Sequence, residues 1–309
     1  MNRAEQFAVL NNFEKHLIAI KAKTLKWRTV CYSQTEHNRP AVISCYGALN
    51  KNTCGDIVLI PGLAANTDID PLMKTLLFWG LTHRRNVFCI DTFLGHFQNK
   101  ATKEDAAHNT YPEFIAVLEN SIKYLEKQII PNKNIFIGHS AGATGLIDAM
   151  NKLTIKHEKH YIGSVVLFAP WASVNCFDML IKVLRKRCTS NNFDCSQDIL
   201  PVSNGFDFKE TGKVRYVSVS PSFLNDMIYS DFRPDLMTKW GANITVVAGE
   251  KDTKVSVDTL KQYYKNLVEQ NTHSDTLEFI VLPNARHSIL QPFSNNRSVI
   301  NIIKNQKTN

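Results

Sequence analysis

From Ile57 onward the chain alternates short apolar runs with longer stretches of helical period, and this rhythm constrains the fold more than any other feature. The strand-like runs are Ile57–Ile60, Asn86–Ile90, Asn134–Ile137, Ser164–Phe168, Ile244–Ala248 and Leu277–Leu282. The helical ones are Asp70–His83, Tyr111–Ile130, Ala141–Lys152 and Val257–Glu269, with Val299–Lys304 closing the chain. Tyr111–Ile130, for example, gathers Phe114, Val117, Leu118 and Leu125 on one side. Parallel neighbours require crossovers, so this alternation predicts an α/β fold: a mostly parallel central sheet with helices on both faces. Two earlier runs, Leu25–Tyr32 and Ala41–Leu49, are hairpin-like and suit an antiparallel edge. Before them, Phe7, Leu10, Phe13, Leu17 and Ile20 fall near helical spacing, which predicts an amphipathic helix within residues 1–24.

The stretch from Trp171 to Trp240 breaks the alternation and is too long for a plain connection in a compact domain. Phe177, Leu180, Ile181 and Leu184 follow helical spacing, Arg185-Lys186-Arg187 comes next, and a second apolar stretch runs from Phe223 to Phe232. So many aliphatic and aromatic side chains do not stay solvated, so residues 171–240 read as a cap inserted after the sixth strand. Residues 25–170 and 241–309 form the core.

Hydrophobic residues make up 44% and charged residues 21%, the balance of a globular chain. The formal charge of +8 is spread along the sequence and favours anionic partners such as phospholipid head groups. With no zinc-finger spacing, RNP-like box or concentrated basic arm, nucleic acid is not an expected partner. Seven irregularly spaced cysteines argue against a disulfide framework and for a reducing compartment, with Cys45 and Cys89 as core residues. The opening Met-Asn-Arg-Ala-Glu-Gln-Phe has no apolar region of a secretory leader, and no run is long enough to span a membrane. A cytoplasmic protein is expected, with peripheral membrane contact by the N-terminal helix as an alternative to packing on the body. No Cys-x-x-Cys pair is present, and His157 and His160 read as a solvated helix end, so neither a metal nor another cofactor is expected.

Gly138-His139-Ser140-Ala141-Gly142 lies between a strand and a helix. A serine at so sharp a turn is projected above the sheet's C-terminal edge, and small neighbours let the chain pass. The amide of Ala141 then sits at a helix N-terminus, where donors are free and the dipole favours an anion. A serine hydroxyl needs a base, and His287 follows the last strand, on a loop that can return over Ser140. The imidazole in turn needs an acceptor. Asp252 follows the preceding strand, with Glu250 as the runner-up. The second oxyanion donor is expected just after the third strand, at Leu63, where Pro61 shapes the loop and Gly62 lets it turn. Gly62, His139, Phe177 and Leu180 are the expected substrate-lining residues.

Pro61-Gly62-Leu63, Gly138-His-Ser-Ala-Gly142, Gly249-Glu-Lys-Asp252 and the His287 loop together resemble the α/β-hydrolase superfamily over about Cys45 to Ile300. The likeness is greatest to its monoglyceride lipase, lysophospholipase and carboxylesterase branch, with a cap after strand six. The resemblance implies a triad of Ser140, Asp252 and His287, with oxyanion amides at Leu63 and Ala141. It also implies hydrolysis of a small-molecule acyl ester; the apolar faces of residues 171–240 and the Arg185-Lys186-Arg187 cluster favour one of lipid type, such as a monoacylglycerol or lysophospholipid. An acyl thioesterase and a hydrolase-fold binding protein with vestigial turnover are the alternatives. One piece departs from the family: Asp91-Thr-Phe-Leu-Gly95-His96-Phe97-Gln98 is one residue longer than the usual Asp-x-x-Gly-His-Gly-x-Ser loop and lacks its second glycine. His96 is expected to be structural there.

Overall fold

A computed structural model of the chain describes residues 3–49, 53–63, 65–96, 108–156, 163–171, 200–204, 215–220, 223, 226–227, 242–270, 276–290 and 295–306. Its strands are Leu25–Tyr32 (β1), Pro40–Tyr46 (β2), Gly55–Ile60 (β3), Arg85–Thr92 (β4), Asn134–His139 (β5), Ser164–Phe168 (β6), Leu200–Asn204 (β7), Arg215–Val219 (β8), Asn243–Gly249 (β9) and Leu277–Leu282 (β10). The longer helices are Arg3–Thr24 (α1), Pro71–Thr82 (α2), Tyr111–Leu125 (α3), Ala141–Lys156 (α4), Val257–Gln270 (α5) and Asn296–Lys304 (α6).

Eight strands form one sheet in the order β1-β2-β4-β3-β5-β6-β9-β10. β1–β2 and β2–β4 pair antiparallel, and every pairing beyond β4 is parallel. The antiparallel edge and the parallel body are therefore those the sequence predicts. Element ends differ where a local partner intervenes. β2 stops at Tyr46 because the next amide, Gly47, donates to the Thr24 carbonyl at 2.7 Å. α3 ends at Leu125, short of Ile130, whose amide is taken by the Asp56 carboxylate at 2.6 Å.

Side chains of successive strand residues point to opposite faces, so each central strand feeds two cores. Val58, Ile60, Phe136, Val165 and Leu167 pack against Phe114 and Leu118 of α3 and Leu146 and Met150 of α4. Ile57, Leu59, Ile135, Ile137, Val166 and Phe168 pack on the other face against Leu72, Leu76 and Leu77 of α2 and Ile303 of α6. The second half of α1 is bound to this latter layer. Leu17 is buried, Phe13 meets Phe78 edge-on at 5.3 Å, Glu14 pairs with Lys74 at 2.6 Å, and Lys21 pairs with Asp68. Packing on the body thus accounts for Phe13, Leu17 and Ile20 of that half, while Ile18 stays exposed. No helix among the described residues is long and apolar enough to cross a membrane.

β6 and β9 are sheet neighbours, so the chain between them is an insertion at one point of the sheet. Within it β7 and β8 pair antiparallel, a hairpin absent from the sequence reading. Phe223 anchors the insertion: it is fully buried, with ring centroids 5.5 Å from Tyr111 and 5.9 Å from Phe114. Phe177, Leu180, Arg185-Lys186-Arg187, His157 and His160 lie outside the described residues.

Candidate active site

Because β5, β6, β9 and β10 run parallel, their C-terminal ends meet at one edge, and the residues that follow them converge there. Ser140 follows β5 with φ of +54°. This left-handed conformation costs a non-glycine residue about 1–3 kcal/mol and persists only where its surroundings over-determine it. Here the Ser140 amide donates to the Phe168 carbonyl at 2.8 Å, and its carbonyl accepts from Ala143 at 2.9 Å as α4 begins. Gly142 allows the tight passage, since a Cβ there would lie 2.2 Å from the Pro61 carbonyl oxygen. The same closeness brings the loop after β3 alongside the serine: a Cβ on Gly62 would be 3.1 Å from Ser140 Cβ. Leu63 continues that loop, partly buried, and Ala141 is the first residue of α4, where an amide has no partner within the helix.

His287 reaches the serine from the loop after β10. Its Nε2 lies 2.9 Å from Ser140 Oγ, and its Nδ1 lies 2.9 Å from Asp252 Oδ2. The Asp252 carboxylate is held in turn, its Oδ1 accepting from the amides of Lys254 at 2.8 Å and Val255 at 3.0 Å. Glu250, the runner-up acid, points elsewhere and accepts from the Asn284 amide at 2.7 Å, tying the loops after β9 and β10 together.

Charge states follow from these contacts. Burial pushes the Asp252 carboxyl up, but the hydrogen bond and charge of His287 and the two amides outweigh it, so the net shift is downward. Burial pulls the His287 imidazole down; Asp252 opposes this, Lys254 and His139 add to it, and the net shift is again downward. A neutral imidazole with a carboxylate on Nδ1–H presents a bare Nε2 lone pair to the serine hydroxyl, the arrangement a general base needs.

Two residues differ from the sequence reading. His139 does not line the substrate side: its ring lies beneath the site, with Nδ1 2.7 Å from Asp70 Oδ2 and Nε2 3.0 Å from the His287 carbonyl oxygen. Both nitrogens are engaged because a residue at the end of β5 alternates to the opposite side from the Ser140 hydroxyl. In the sequence Trp171 marks only the start of the insertion. In the structure its indole Nε1 donates to Ser140 Oγ at 2.8 Å. Its backbone is pinned to α4, the amide donating to Thr144 Oγ1 at 2.8 Å and the carbonyl accepting from that hydroxyl at 3.0 Å. Its place just beyond the C-terminal end of β6, at the edge shared with Ser140, is the signal that could have found it.

The described part of the divergent segment, from Asp91 at the end of β4 to Gly95, is a brace. Asp91 Oδ1 accepts from both the amide and the hydroxyl of Thr67 at 2.7 Å, and the Gly95 carbonyl accepts from Asn66 Nδ2 at 3.2 Å. These bonds fix the segment that follows Leu63.

A scan of protein-family models and a search of curated protein sequences return no match. Solved structures do match over nearly the whole chain. A protein of Agrobacterium vitis S4 superposes with a TM-score of 0.62 at 12% identity, covering 92% of this chain and 99% of that one. Est1E from Butyrivibrio proteoclasticus, with ferulic acid bound, gives 0.60 at 11% identity, covering 90% and 98%. A Pyrococcus furiosus esterase gives 0.56 at 15% identity, covering 91% and 93%. Strand order, the antiparallel edge and this likeness agree: the chain has the α/β-hydrolase fold.

Proposed function

We propose that the protein is a serine hydrolase that cleaves a carboxylic ester through an acyl-enzyme on Ser140. The observation that carries this reading is the continuous hydrogen-bonded series from Asp252 through His287 to Ser140 Oγ, 2.9 Å at each link. Ser140 Oγ attacks the ester carbonyl as His287 Nε2 takes its proton. The amides of Leu63 and Ala141 receive the oxyanion, as donors fixed beforehand. The imidazolium then protonates the leaving alcohol. A water, deprotonated by His287, attacks the acyl carbon, and collapse of the second tetrahedral intermediate releases the acid and restores Ser140. The steps need no metal or organic cofactor.

Residues 171–240 act in this reading as a cap over the site. The lipid-type acyl ester is the substrate class we favour, on the apolar composition of that segment, including Phe177 and Leu180, and on its Arg185-Lys186-Arg187 cluster. An acyl thioesterase is the second reading: the thioesterase domain from the curacin biosynthetic pathway shares the fold, with a TM-score of 0.53 at 12% identity. A pure binding protein has no use for an oriented base. Labelling by a fluorophosphonate probe tests the nucleophile. Wild type is expected to label at Ser140 and Ser140→Ala not at all; an unlabelled wild type overturns the enzyme reading. A panel of butyryl, lauroyl and lysophospholipid esters beside acyl thioesters then sorts the substrate. Turnover far greater on butyryl than on lauroyl esters overturns the lipid assignment.

A further inference from the structure

A second histidine–aspartate pair lies directly beneath the first. His139 and Asp70 are both buried, at 4% and 1% exposure. Asp70 caps α2, its Oδ1 accepting from the amides of Leu72 at 2.9 Å and Met73 at 3.4 Å, while Oδ2 faces His139 Nδ1 at 2.7 Å. On its other side His139 Nε2 is 3.0 Å from the backbone carbonyl oxygen of His287.

The proton inventory of this pair is nearly fixed by chemistry. A backbone carbonyl only accepts, so Nε2 must carry hydrogen. A carboxylate that takes two amides at a helix N-terminus is held ionised by those donors and by the dipole, so it too accepts, and Nδ1 must carry hydrogen as well. An imidazole with hydrogen on both nitrogens is a cation. We propose that His139 is a standing imidazolium, neutralised by Asp70, which positions His287 through its main chain and keeps the His287 ring unprotonated. The role given to His287 rests on the serine-hydrolase reading; the charge state of His139 does not.

The charged and titratable groups facing His139 are Asp70 from the start of α2, His287 from the loop after β10 and Lys254 from the loop after β9, with Asp252 beyond His287. Burial by itself would strip the second proton from His139; Asp70 and the His287 carbonyl outweigh burial and Lys254, and the net shift is upward. Asp70 moves the complementary way, downward, its burial outweighed by His139 and the two cap amides. The His139 and His287 ring centroids are 5.5 Å apart. At that separation one cation disfavours a second, so His287 stays available as a base. The Nε2–H bond meanwhile fixes the loop that carries His287, which makes His139 a positioning residue rather than one that touches substrate.

Nitrogen-15 NMR of histidine-labelled full-length protein tests the charge state. Wild type is expected to show one histidine with both nitrogens protonated throughout pH 6 to 9, and His139→Gln to lack it. Should His139→Gln fail to fold, Asp70→Asn gives the assignment, because its amide oxygen preserves the α2 cap while the ring must turn neutral. A His139 that is neutral or titrates near an ordinary imidazole overturns the proposal. The pH profile tests the consequence. In Asp70→Asn/His139→Gln, whose glutamine amide still donates to the His287 carbonyl, the acid limb of kcat/KM is expected to rise by about 1 pH unit. An unmoved limb overturns the electrostatic role. Fluorophosphonate labelling of wild type separates the two failures: an unlabelled wild type sinks the hydrolase reading, while the NMR result still decides His139.

Discussion

The indole Nε1 of Trp171 donates to Ser140 Oγ at 2.8 Å while His287 Nε2 approaches the same oxygen at 2.9 Å. With one lone pair occupied by the indole, the hydroxyl proton is directed to the histidine. In the proposed cycle Oγ is also the leaving group of deacylation, and it regains negative charge as the second tetrahedral intermediate collapses. The Trp171 N–H then meets a more charged acceptor than in the resting state, so it favours that step. A hydrogen bond of about 1 kcal/mol corresponds to about a fivefold rate change. Trp171→Phe should therefore slow deacylation about fivefold or more, and stopped-flow assays with p-nitrophenyl butyrate should show a larger acyl-enzyme burst. Identical burst and steady-state phases in variant and wild type would remove this role.

Asp252 fixes the tautomer of His287 through its 2.9 Å bond to Nδ1, and its own place is secured by two amides. Asp252→Asn keeps the shape but offers an amide donor where an acceptor is needed, which turns the ring's hydrogen toward Ser140. The expected loss of kcat is about 10³–10⁴-fold with little change in thermal stability. If Glu250→Gln produced the larger loss, the acid would have been misassigned.

In the proposed cycle His287 carries the pH dependence. Its imidazole is shifted downward from the usual 6.5, with burial the largest cause. A base works only when unprotonated, so activity is present above its pKa and is lost as pH falls through it. The acid limb of kcat/KM for a neutral ester should thus have its midpoint below pH 6.5 and be flat at neutrality. A midpoint above 7 would mean that Asp252 outweighs burial.

The parallel sheet and three of the residues at its edge were legible because they depend on local signals: alternating periodicity, a glycine-flanked serine at a strand end, an acid and a histidine each just beyond a later strand. His139 was legible as a residue but not in its role. Its partner Asp70 stands 69 positions earlier, and nothing local links a helix cap to the residue before the serine. Trp171 was hidden for a related reason. Its contact with Ser140 spans 31 residues and depends on the register of β5 and β6, which only the assembled sheet supplies. The β7–β8 strands are only five residues each, and Pro201 demotes the first as a strand candidate, so periodicity had little to register there.

Gly142 links the serine turn to the loop that carries Leu63. Adding a methyl group would place it 2.2 Å from the Pro61 carbonyl oxygen and 2.6 Å from that of Ile60, both backbone atoms that cannot swing aside. Gly142→Ala must push the two segments apart at a cost of about 1–3 kcal/mol. Because the loop after β3 and the start of α4 supply the two proposed oxyanion donors, kcat should fall about 10²-fold or more while the protein still folds. Full activity with a lowered melting temperature would show that the donors tolerate the displacement, and would place the oxyanion elsewhere.

Phe223 tests whether the insertion is docked on the core or merely tethered to it. Its ring is fully buried between Tyr111 and Phe114 of α3, and Ser220 just before it donates to the Asn109 carbonyl at 3.3 Å. Truncating a fully buried phenylalanine removes its transfer free energy and leaves a cavity, together about 3–5 kcal/mol. If the insertion and the core unfold as one unit, Phe223→Ala should lower the unfolding free energy of the single transition by that amount, read as a lower denaturant midpoint with the m-value unchanged. If the insertion opens by itself, the global transition should barely move, while amide exchange speeds up for residues 200–204 and 215–220 alone. The buried position between two α3 aromatics favours the first outcome, in which Phe223 ties the insertion to the helix that also packs against α4.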